Sequence, residues 1–92
     1  MISIRESIKR AIDKAYSCYH DCVRLKIKLK QRRIRIEEGT LNRNGNYLTT
    51  DEEVELERIE FHESKIVEII SSIEAAINEL EECYDEEIQS KM

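Results

Sequence analysis

Apolar residues recur along the first half of the chain in steps of four and three. They are Ile4, Ile8, Ala11, Ala15, Cys18, Cys22, Leu25 and Leu29, with Arg32 interrupting before Ile36. Such spacing lays one stripe along an α-helix, and its heptad form is that of a seam between two helices. In the second half Ile59, Ile66, Ile73 and Leu80 sit seven apart. Ile69/Ile70, Ala76/Ile77 and Cys83/Tyr84 widen that stripe. The pattern predicts two long helices, over about residues 3–38 and 50–90.

Turn chemistry is confined to one stretch. Both glycines, Gly39 and Gly45, fall there, and Asn44-Gly45 suits a turn that needs positive φ. Gly39 is expected to stop the first helix, leaving a loop over 39–49. Ser3-x-x-Glu6 and Thr50-x-x-Glu53 read as capping boxes. One passage dissents: Val23-Arg-Leu-Lys-Ile-Lys-Leu-Lys30 alternates as a half-buried strand would. Lys, Arg and Leu are good helix formers, and Lys30–Arg33 is poor turn material, so helix is preferred there.

A loop near Asn44 folds the helices back on each other, pairing residues whose numbers sum to about 88. Leu29 then meets Ile59, and Cys22 meets Ile66. The predicted fold is all-α: one domain, 1–92, an antiparallel two-helix hairpin that self-associates into a bundle. Self-association is invoked because Val23, Ile27, Ile34, Val54 and Phe61 lie off the seams. In that register Ile27 faces Phe61 and Ile34 faces Val54, a second apolar surface of the kind that marks an interface.

Charge changes the picture more than composition does. Net charge is −5 over 92 residues, yet residues 1–43 hold 12 basic and 5 acidic side chains and residues 44–92 hold 3 and 15. Between Cys22 and Ile36 stand seven cations and no acid. Either the basic stretch awaits an external anion, or the halves neutralise each other within the fold, and the second reading is favoured. The acidic half also argues against nucleic acid as a partner, although seven cations would contact several phosphates. No apolar run exceeds about four residues, against about 20 for a membrane span. Three cysteines without a leader point to a reducing, cytoplasmic setting.

Catalytic signatures are missing: there is no glycine-rich phosphate loop, GxSxG or HExxH. The expectation is a non-enzyme without cofactors. Cys18 and Cys22 share a helical face, and the register brings His62 near, but neither CxxC nor HxxxH spacing supports a metal. The most suggestive constellation is Tyr16, His20, Arg24 and Lys28, each four apart on one ridge. An aromatic ring followed by cations suits a stacked base and its phosphate. The same residues also suit a plain bundle, with the tyrosines packed and the cations paired to the acidic helix.

Tyr47-Leu-Thr-Thr-Asp-Glu52, opening the second helix of a small hairpin with a polar loop, resembles the phage anti-CBASS sponge family. That family shows Tyr, then Leu-Ser/Thr, then Glu at a helix start; here Tyr47 directly abuts Leu48. The resemblance implies a phage or mobile-element protein that oligomerises and sequesters a cyclic-nucleotide signal to block a host defence. No binding residue is carried over from it. The alternative expectation is a protein–protein inhibitor or adaptor acting on a host protein through the apolar face near the loop.

Overall fold

The computed structural model describes residues 2–41 and 48–90, with Thr40 and Leu41 described by backbone alone. It is an all-α hairpin of two helices, α1 (Ile4–Leu41) and α2 (Thr50–Gln89). The hairpin is a rod of 71 × 17 × 17 Å with a radius of gyration of 20.5 Å, where a compact chain of this length would have about 12 Å.

Capping opens both helices. The Ser3 hydroxyl accepts from the Glu6 amide at 3.1 Å, and the Ser7 amide donates to the Ser3 carbonyl. At α2 the capping box forms one residue earlier than expected. Thr49, extended at φ −70 and ψ 161, is the cap, and Glu52 is its partner. Thr49-Thr50-Asp51-Glu52-Glu53 satisfies the local rule in either frame. The earlier frame adds one backbone bond, from the Glu53 amide to the Thr49 carbonyl. Gly39 does not end α1, which continues to Leu41. A glycine inside a helix costs only about 1 kcal/mol, too little to stop so long a helix. Asn44-Gly45 and Tyr47 lie outside the described residues.

Packing corrects the expected seam. On α2 the predicted stripe holds at Ile59, Ile66 and Ile77, which are buried, and at Ile70, Ile73, Leu80 and Tyr84, which are half-buried, whereas Ile69, Ala76 and Cys83, expected to widen it, are exposed. On α1 Leu29 is buried and Cys22 and Ile36 pack against it. Around them, however, Ile12, Tyr19 and Arg33 are half-buried, whereas Cys18, Leu25 and Arg32 are exposed. The stripe facing α2 runs Ile8, Ile12, Ala15, Tyr19, Cys22, Leu29, Arg33, Ile36, with Ala11 also half-buried at its edge. Both stripes have heptad spacing. The observed one adds Ile12 beside Ala11 and puts Tyr19 where the expected one put Cys18, and larger side chains gain more from burial.

Val23–Lys30 is helical throughout. In a helix, residues two apart differ by about 200°, so the alternation deals its apolar residues to two faces. Leu29 goes to the seam, and Val23 and Ile27 go elsewhere. Ile27 and Phe61 therefore share a level along the rod without facing each other. They point outward at opposite corners, 51% and 60% exposed, and Ile34 and Val54 are separated in the same way. The expected single apolar patch near the loop is two patches, one on each helix.

Candidate functional site

The rod has two broad sides that differ in chemistry. On one, here the tyrosine side, Tyr16, Tyr19, Glu74, Ile77 and Asn78 line a hollow of about 280 Å³. On the other, the histidine side, Leu25, Leu29, His62, Lys65 and Ile66 line a groove of about 330 Å³.

The ridge of Tyr16, His20, Arg24 and Lys28 does not form one site. Its ends are about 18 Å apart along the axis, and an i+4 ridge drifts about 40° per step around the helix. Tyr16 lies on the tyrosine side, where its hydroxyl donates to Glu81 Oε1 at 2.8 Å. That carboxylate holds the Tyr16 phenol above its ordinary value of 10.0. With Glu74 also lining this hollow, its charge is wrong for an anion. His20 meets the Tyr19 ring edge-on at 5.6 Å. Arg24 is exposed and lies 3.7 Å from Asp21.

Lys28 reaches the other side, where with Gln31, Arg32 and Arg35 it lines a shallow depression of about 200 Å³. Helix periodicity brings Arg58, His62 and Lys65 of α2 to this same side. The acidic half of the chain has three cations, so two of them stand here. Sequence spacing alone missed this cluster, because the two halves meet only after folding. The signal available beforehand was the i, i+4, i+7 run Arg58, His62, Lys65.

Neutralisation by the acidic helix is partial. Among the described residues two ion pairs join the helices: Arg32 to Glu55 at 3.7 Å and Arg33 to Glu63 at 3.4 Å. Lys65 pairs within α2 with Glu68 at 3.8 Å and sits 5.5 Å from the centre of the Phe61 ring. Among the described residues Lys28, Arg35 and Arg58 make no ion pair. On the same side, the groove edged by His62 and Lys65 is walled by Leu25, Leu29 and Ile66.

Cys18 and Cys22 stand together, and His62 instead faces the leucine groove. Among the described residues no group of three or more His, Cys, Asp or Glu side chains is placed to hold a metal ion. Partial burial, with Cys18 beside it, raises the Cys22 thiol above its ordinary value of 9.0. Among the described residues no helix is long and apolar enough to cross a membrane. No protein-family model, characterised protein or solved structure matches the chain.

Proposed function

We propose that this chain is a non-catalytic helical binding protein that works as an oligomer and sequesters an anionic, nucleotide-like ligand on its histidine side. One observation carries the reading. That side carries an apolar groove edged by His62 and Lys65 and a separate depression lined by Lys28, Arg32 and Arg35, and Lys28, Arg35 and Arg58 have no acidic partner among the described residues. A flat apolar body with phosphate at its edge matches that combination, since the leucine wall covers a base and guanidinium or ammonium groups hold phosphate. A role in blocking a host signal, which the sponge resemblance implies, is part of the same proposal.

Calorimetric and thermal-shift titrations with cyclic mono-, di- and oligonucleotides, and with inorganic phosphate, test it. A ligand present at 100 times its Kd adds about 2.7 kcal/mol to stability. Lys28→Glu and Arg58→Glu should each abolish the response. If no anion in the panel shifts the wild-type transition, the reading fails.

A second reading has its own support. Val54 and Phe61, 49% and 60% exposed, stand together on the outer corner of α2, where a different protein would seat. Binding of a host protein that Phe61→Ser removes and Lys28→Glu leaves intact would favour it.

A further inference from the structure

The tyrosine side carries a pattern that the ligand reading does not use. Its α2 edge presents Glu53, Glu57, Glu60, Glu74, Glu81 and Asp85, without a cation. The α1 edge presents Arg5, Lys9 and Lys30, with Tyr16, Val23, Ile27 and Ile34 between or beyond them, and the acids Glu6, Asp13 and Glu37 in the same columns. A wholly acidic rail thus lies beside one of mixed charge and apolar residues, on one face of one rod.

We infer that this face is the interface with a second copy of the chain, joined by a two-fold axis along the rod, so that α1 of each copy lies on α2 of the other. Charge decides among the two-fold arrangements. A perpendicular axis would set α2 on α2, acid against acid for the length of the rail. Like charges so placed are destabilising. The axis along the rod reverses this. It also allows no sliding, so the pairing across the interface repeats the level alignment within the hairpin. Ion pairs and hydrogen bonds there join residues whose numbers sum to between 87 and 97. At a sum of 90, Arg5 meets Asp85, Lys9 meets Glu81, Lys30 meets Glu60, and Val23 meets Val67 of the other copy. All four are compatible pairs, and Glu37 against Glu53 near the loop end is the one like-charged pair among the rail residues.

Area agrees. The accessible surface is 7367 Å², where a compact protein of this mass exposes about 5,600 Å². A face 71 Å long and 17 Å wide offers roughly 1,200 Å² per partner, against about 800 Å² in a standard interface. The histidine side is unsuited to the same use. There Lys28 and Arg32 would meet Arg58, His62 and Lys65 of the other copy, so that side stays open. This inference stands whether or not the ligand reading does, because it concerns the opposite face.

The test is a charge exchange followed by solution mass. Lys30 and Glu60 are both exposed and make no ion pair within the hairpin among the described residues, so Lys30→Glu and Glu60→Lys should fold normally, as judged by helical circular dichroism. The wild type should sediment at twice 10.9 kDa. Each variant alone should dimerise at least tenfold more weakly. Mixed in equal amounts, the two variants should recover the dimer, because both exchanged contacts then join opposite charges. A wild type that stays at 10.9 kDa at 100 µM overturns the inference. So does a Lys30→Glu chain that dimerises as tightly as wild type, which would point to α1 lying on α1.

Discussion

At the scale of single residues, the least comfortable side chain is Glu63. It occupies a seam position beside Arg33, and its Oε1 is buried without a hydrogen-bond partner. An unsatisfied buried oxygen costs about 1–3 kcal/mol, and the ion pair it shares with half-exposed Arg33 returns about 1 kcal/mol or less. Glu63→Leu should therefore stabilise the fold by about 1–2 kcal/mol, read as a higher urea midpoint at fixed protein concentration. Tyr16 gives a pH signature. Its folded pKa lies above the unfolded one because the phenol donates a hydrogen bond to the Glu81 carboxylate, whose charge also opposes ionisation. The stabilisation is complete below about pH 10 and is lost as pH rises through the folded value. Tyr16→Phe should flatten the fall in melting temperature above pH 10 and remove the highest-pH phase of phenolate absorbance. Among the thiols, half-buried Cys22 should react last with a disulfide reagent at pH 8, after exposed Cys18 and Cys83.

Elements were more legible than the way they pack. Two helices and a capping box near Thr49 follow from apolar spacing and from where threonine and glutamate stand. Replacing Thr49 by Ala should cost about 1 kcal/mol, and Thr50→Ala, lacking the cap bond, much less, by urea denaturation of each. The frame of that cap was ambiguous because two threonines precede two glutamates. The roll of α1 was ambiguous for a similar reason. Ala11 and Cys18 share heptad spacing with Ile12 and Tyr19, and only side-chain size tells the stripes apart. The misreading of Ile27 against Phe61 has the same root: equal level along a rod says nothing about direction around it. For the candidate site, Lys28 was legible as part of the basic run. Its partners Arg58, His62 and Lys65 were not, because their side of α2 is set by the seam and not by any local motif.

The molecule is a rod in which, among the described residues, four apolar side chains are buried, Leu29, Ile59, Ile66 and Ile77. Ten large apolar residues among the described ones remain exposed, including Tyr16, Ile27 and Ile34 on the tyrosine side. A core this small gives the isolated hairpin little margin against the entropy of ordering some eighty residues, at about 1–2 kcal/mol each for the backbone alone. If the tyrosine side joins two copies, folding and association are one equilibrium, and stability depends on protein concentration. Each tenfold rise in concentration then adds about 1.4 kcal/mol per dimer, which for a unit of this size moves the melting temperature up by about 4 °C. The Glu60→Lys chain should melt lower and without that dependence, and the equimolar mixture with Lys30→Glu should regain it. Calorimetry between 5 and 500 µM would read all three. A wild-type melting temperature that is flat across that range would mean the hairpin stands alone, its exposed isoleucines being ordinary surface.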